Sequence, residues 1–171
     1  DTSDWSAVAS FTTPCAAIVP AYLEDFTAGY QPTSCWSQGE GGSPTTGPAS
    51  TGSSGWASDG LANAGTSGAA RINLYGSSGT DWLITPSFDL SSGGPWEASF
   101  DAAVVNWNQT TPSFLDANND FGLYASTDGG SSWTAIWSAD ENYVTNPGGN
   151  NETVDLSAYT GTVQFAFYVC L

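Results

Sequence analysis

The stretch Phe121-Gly-Leu-Tyr-Ala-Ser-Thr-Asp-Gly-Gly-Ser-Ser-Trp-Thr-Ala-Ile-Trp137 reads as two β-strands folded back on each other. Apolar and polar side chains alternate on both arms, the period of a strand with one face buried. Between the arms, Asp128-Gly129-Gly130 supplies the positive φ values that a tight hairpin needs.

The same period recurs on either side of this hairpin. Residues 96–107 read as a long strand, with Trp96, Ala98, Phe100, Ala102 and Val104 on one side and Glu97, Ser99 and Asp101 opposite. Residues 162–169 read as a final strand presenting Val163, Phe165, Phe167 and Val169 on one face. Shorter strands are expected at residues 6–12, 22–26, 69–75, 81–85 and 152–156, with Pro86 closing the fourth because it has no N–H for a ladder. Residues 37–55 are rich in Gly, Ser, Thr and Pro and read as a long surface loop, and polar loops are expected at 108–119 and 140–151. No segment has a helical period. About ten short strands with turn signals between them predict an all-β, two-sheet antiparallel sandwich of jelly-roll type.

Composition narrows the function. The 171 residues carry one Lys or Arg, Arg71, against 17 acidic residues, a formal net charge of −16. Phosphate backbones need a basic footprint, so nucleic acid is excluded as a partner and anionic membranes are disfavoured. No apolar run has the ~20 residues of a membrane-spanning helix. The chain has neither an initiating Met nor a leader, so it is expected to start inside a mature or excised sequence. Histidine is absent, and Cys15, Cys35 and Cys170 have no C-x-x-C spacing, which argues against zinc or copper. An extracellular setting permits one disulfide. The sequence does not fix which two cysteines pair; Cys15 with Cys35 is preferred, since both flank one candidate strand.

Two stretches resemble known families. Ser3-Asp-Trp-Ser-Ala-Val-Ala-Ser-Phe-Thr-Thr-Pro-Cys15 resembles the last strand of a fibronectin type III domain. From residue 19 onward, four landmarks occur in order: Leu23-Glu-Asp-Phe26 with Pro32 and Cys35-Trp36; Asp81-Trp-Leu-Ile-Thr-Pro86 with Phe88-Asp-Leu90; the hairpin quoted above; and Val154-Asp-Leu-Ser-Ala-Tyr-Thr-Gly161 with Val163-Gln-Phe-Ala-Phe167. Together they resemble the MAM-like jelly-roll domains of bacterial surface proteins, the cleaved-adhesin or choice-of-anchor J group. The division this implies is residues 1–18 as a fibronectin strand and linker and residues 19–171 as the jelly roll. That family carries a further strand, with an acidic D-D-[IV] element, after the position of Cys170-Leu171. Without it, the edge of the final sheet is expected to stand open.

A serine or cysteine nucleophile with a histidine base cannot be built from this chain, and no signature marks a carboxylate pair for glycoside hydrolysis. Calcium is the better-supported chemistry. Asp116, Asn118 and Asp120 place oxygen side chains at alternate positions of one loop, without the Gly and distal Glu of an EF-hand. The family resemblance adds Glu24 or Asp25 as ligands of a structural calcium. Against this stands the ordinary use of Asp and Asn in polar turns. Among the tryptophans, Trp82, Trp96, Trp133 and Trp137 lie in strands as packing residues. Trp36 and Trp56 flank the long loop, and Trp107 adjoins Asn106, Asn108 and Gln109, where an aromatic ring could stack on a sugar. Packing is the simpler role for all three. Two N-x-[ST] patterns, at Asn108 and Asn151, carry no meaning in a bacterial protein.

The expectation is a non-catalytic adhesion or binding module of a large secreted or cell-surface bacterial protein, taking a surface glycan, a protein or a neighbouring domain. The alternatives are a subunit of a surface stalk whose open edge is completed by a strand of the next chain, or an accessory domain of a secreted hydrolase.

Overall fold

The central strand of the molecule is the last one. In a computed structural model describing residues 15–31, 33–75, 79–116 and 119–170, ten strands follow one another. They are β1 (Ser37–Glu40), β2 (Ser50–Thr51), β3 (Ala57–Asp59), β4 (Ala69–Arg71), β5 (Thr80–Asp89), β6 (Glu97–Ala102), β7 (Asp120–Ser126), β8 (Thr134–Ala139), β9 (Asn150–Asp155) and β10 (Thr162–Cys170). The described residues include a short 3-10 turn at Leu61–Asn63 and no helix long and apolar enough to cross a membrane. Six strands form one sheet in the order β2-β1-β5-β10-β7-β8, and two-stranded sheets β6-β9 and β3-β4 stand apart from it. Every pairing between these strands is antiparallel. The fold is an all-β sandwich.

Alternation along β10 shows how the layers are held. Val163, Phe165, Phe167 and Val169 point to one face, where they meet Ala98, Phe100 and Val154 of β6-β9 at one end and Trp56, Ala70 and Ile72 around β3-β4 at the other. Ala166 and Tyr168 point to the opposite face, where they pack with Trp82, Ile84 and Trp133. That second apolar layer is capped by the glycine-rich segment between β1 and β2. Trp82 Nε1 donates to Gly41 O at 2.9 Å, and Trp133 N donates to Pro44 O at 2.8 Å. At Gly47, with φ +68°, a Cβ would lie 2.7 Å from Gly130 O, so only glycine lets the two loops meet.

The structure corrects the sequence reading in several places. Residues 37–55 are not one loop; they begin in β1 and contain β2, and the polar run between these two strands is a cover. Residues 22–26 form no strand, and β4 and β6 are shorter than the alternating segments that announce them. Pro86 does not end its strand. β5 runs on to Asp89 because three steps of β5, Ile84 to Ser87, match two of β10, Ala166 to Gln164. The extra residue moves Phe88 to the inner face, whereas Trp82 and Ile84 lie on the outer one. The buried Thr85 hydroxyl holds this bulge, accepting from Phe165 N at 3.1 Å and donating to Pro86 O at 2.8 Å. Nor is β10 an open edge, since it lies between β5 and β7. Among the described residues, the edges without a paired strand are those of the two small sheets and of the outermost strands β2 and β8.

Cys15 and Cys35 form a disulfide, while Cys170 is a free, half-buried thiol. The strand expected at residues 6–12, and the fibronectin resemblance with it, lie outside the described residues.

Candidate binding groove

The layer opposite the six-stranded sheet is interrupted. β6 pairs with β9 on one side and β4 pairs with β3 on the other, and between β4 and β6 lies a groove of about 720 Å³. Its floor is the inner face of the large sheet: Leu83 of β5, Phe121 of β7, and Phe167 and Val169 of β10. One wall is β4 with the extended residues after it, including Ile72 and Leu74; the other is β6 from Ser99 on, with Val104 beyond it. At one end, Asn63 Nδ2 donates to Gln109 O at 2.8 Å and ties the 61–63 turn to the loop after β6.

Apolar side chains crowd the mouth. Leu23 and Tyr75 are each 86% exposed, Phe114 61% and Trp107 58%. They are four of the six large apolar side chains exposed among the described residues, and all four line this groove. Single exposed apolar residues are ordinary, whereas a cluster around a concavity marks a contact surface. The rim is acidic, with Glu24, Asp25, Asp101 and Asp116. Arg71 is the exception: its Nε lies 2.8 Å from Asp59 Oδ2, and its guanidinium carbon is 5.5 Å from the centre of the Trp107 ring.

The three tryptophans marked for ligand contact part company here. Trp107 is exposed at the mouth. Trp56 lines the groove but is 7% exposed, and its Nε1 is buried with no hydrogen-bond partner. Trp36 is a core residue, edge-on to Phe26 and donating from Nε1 to Tyr22 Oη at 3.1 Å; with both faces covered it has no surface for stacking. Tyr75, Phe114 and Leu23 were missed. The usable signal was an aromatic residue inside a polar loop (Phe114) or directly before a Gly-Ser turn (Tyr75), where packing alone does not call for one.

Glu24, Asp25 and Asp116 reach the same groove without converging. Among the described residues no three acidic or cysteine side chains form a cluster able to hold a metal ion. Both oxygens of Glu24 are engaged, by Tyr22 Oη–H and by Phe26 N–H, each at 2.9 Å. Asp25 folds back on Thr27, accepting from its N–H and hydroxyl, and these bonds hold its carboxyl below the ordinary carboxylate range. Asp25 Oδ1 takes both of these bonds, so Oδ2 is left to the solvent side of the loop. Asp120 begins β7 between Asn119 and Phe121, which line the groove, without lining it itself, and Asn118 lies outside the described residues.

The chain matches no family model and no curated protein. Among solved structures it aligns with the K1 cleaved adhesin domain of Lys-gingipain from Porphyromonas gingivalis at 21% identity, covering 85% of this chain and 90% of that one, with a TM-score of 0.39. The K3 cleaved adhesin domain of the same protein aligns at 18% identity over 85% and 92%, with a TM-score of 0.38. Likeness of this degree carries no argument about activity or ligand.

Proposed function

We propose that this chain is a non-catalytic extracellular adhesion module of a large bacterial surface protein and that the groove between β4 and β6 receives its ligand. The observation that carries this is the gathering of Leu23, Tyr75, Trp107 and Phe114 around one apolar concavity. Burying such side chains against a partner contributes roughly 25 cal/mol per Å² of apolar surface. The Cys15–Cys35 disulfide suits an oxidising environment. The absence of histidine and lysine from the sequence leaves none of the common base-activated nucleophiles.

The test is a panel of immobilised matrix proteins and glycans probed with the wild type and with a Tyr75→Ala/Trp107→Ala double variant. Binding by the wild type, at least tenfold weaker in the double variant, is expected. Wild-type binding that the double variant retains in full would place the ligand elsewhere.

Calcium belongs to this proposal through the alternation of oxygen side chains between Asp116 and Asp120, with Glu24 or Asp25 on the same groove as a further candidate ligand. A rise in Tm with millimolar calcium, lost in Asp116→Asn/Asp120→Asn, is the expected sign; an unchanged Tm removes calcium from the proposal.

A further inference from the structure

We infer that a second pocket, at the end of the sandwich where β10 begins, is a site for one neutral sugar ring. It is separate from the groove and does not rest on the reading given to it above.

The pocket, of about 310 Å³, lies between two connections, residues 90–96 leading from β5 to β6 and residues 156–161 leading from β9 to β10. Each is tied to the other: Leu90 N donates to Gly161 O at 2.8 Å, and Leu156 N donates to Trp96 O at 2.9 Å. The chain writes this frame twice. Asp89-Leu90-Ser91 and Asp155-Leu156-Ser157 each carry a strand end into its turn. In both, the carboxylate accepts from the serine N–H two residues on, at 2.9 and 2.8 Å, and the leucine is buried in the core. The core thus anchors both turns, and Ser91 and Ser157 line the pocket from its two walls.

The walls offer hydroxyls, amides and rings. Ser91 and Thr160 are exposed, so their hydroxyls are open to a ligand. Ser157 Oγ donates to Asp155 at 2.9 Å and keeps its lone pairs for a further donor. Gly93 and Gly94 lie against Trp96: a Cβ would stand 2.6 Å from Cζ2 at the first and 3.4 Å from Cδ1 at the second. Trp96 Nε1 itself is buried, so the donors on this side are the two glycine N–H groups, which make no backbone hydrogen bond among the described residues. Trp96 and Tyr159 are half-buried and both line the pocket.

Charge decides the class of ligand. The chain has 17 acidic residues, yet no side chain lining this pocket is ionised at neutral pH. A metal ion, a phosphate or a charged peptide side chain would leave water here without a countercharge. A pyranose matches what is present, because its hydroxyls pair with hydroxyls and amides while its C–H face packs on an aromatic ring. The volume is at the small end for ligand sites, which fits a single ring such as the end residue of a glycan.

The experiment titrates ¹⁵N-labelled protein with the methyl glycosides of glucose, galactose and mannose, with methyl glucuronide, and with hexaproline. Amide shifts are followed in the wild type, in Ser91→Ala/Thr160→Val and in Tyr75→Ala/Trp107→Ala. At least one neutral glycoside is expected to shift amides within residues 91–96 and 157–160 of the wild type. That glycoside should bind at least tenfold more weakly to Ser91→Ala/Thr160→Val and with unchanged affinity to Tyr75→Ala/Trp107→Ala, and the glucuronide should bind the wild type at least tenfold more weakly. No shift at these residues with any neutral glycoside overturns the inference, and so does equal affinity for the glucuronide or in Ser91→Ala/Thr160→Val. Shifts with hexaproline alone would make the pocket a peptide site and overturn it too. Sugar binding lost in Tyr75→Ala/Trp107→Ala would return the sugar to the groove, removing this inference and leaving the groove's role standing.

Discussion

The guanidinium of Arg71 stands over the ring of Trp107, 5.5 Å from its centre, and so couples β4 to the loop beyond β6 across the mouth of the groove. A cation over an exposed indole contributes about 0.5–1 kcal/mol, and the half-exposed pair with Asp59 adds little, since exposed ion pairs contribute about 0–1 kcal/mol. Arg71→Gln, which keeps most of the stem and removes the charge, is expected to cost about 1 kcal/mol in urea unfolding. Quenching of Trp107 fluorescence by acrylamide is expected to rise in the same variant. Unchanged quenching would show that the ring is held by other contacts.

Arg71 is also the only Lys or Arg in the sequence. Trypsin is expected to give two pieces, divided between Arg71 and Ile72. Both disulfide cysteines lie in the first piece, so nothing covalent joins the two. Because Arg71 lies in β4, cleavage of the native protein should track local opening and slow when the groove is filled. Intact mass against time, with and without a lysine-free groove ligand, reads this directly.

Thr85 is expected to be the most sensitive small residue in the large sheet. Thr85→Val keeps the shape but removes the acceptor for Phe165 N at the bulge. A buried N–H left without a partner costs about 1–3 kcal/mol, whereas Thr85→Ser should retain most of the stability. Chemical denaturation midpoints separate the two variants.

The turn of the founding hairpin predicts a pH effect. The Asp128 carboxylate accepts from the Ser132 hydroxyl and N–H, the Ser126 hydroxyl and Ser131 N–H, and these bonds hold its pKa down to about 2 from an ordinary 3.8. A carboxyl whose folded value is depressed stabilises the protein fully above the unfolded value, and the contribution fades as pH falls through the folded one. Asp128→Asn should therefore melt below the wild type at pH 7, with the gap closing between about pH 4 and pH 2. A gap that persisted at pH 2 would point to lost shape rather than lost charge.

What the sequence made legible follows from how local each signal is. Alternation along residues 121–126 and 162–169 locates β7 and β10 because a strand with one buried face writes its period into the chain. The bulge at Thr85–Pro86 was not legible: a proline in an apolar run looks like a stop, and only the register of β10 shows the strand continuing. β1 and β2 were hidden for a different reason. Their residues are small and polar, and they are strands because β5 offers an edge, not because they bury a face. The groove was the least legible feature. Leu23, Tyr75 and the pair Trp107 and Phe114 come from three connections far apart in the sequence, none of which carries a strand period that would announce a shared surface. Trp36 shows the converse, since a tryptophan beside a polar loop is a core residue once the loop is seen to begin as β1.

The groove has no floor of its own. Leu83, Phe167 and Val169 belong at once to the recess and to the core that holds the sandwich together. Occupancy and folding are therefore linked quantities: a ligand at a hundred times its Kd adds about 2.7 kcal/mol to the unfolding free energy. The loaded groove should let the module outlast the empty one under heat, denaturant and proteases alike, so that occupancy itself sets how long the fold persists.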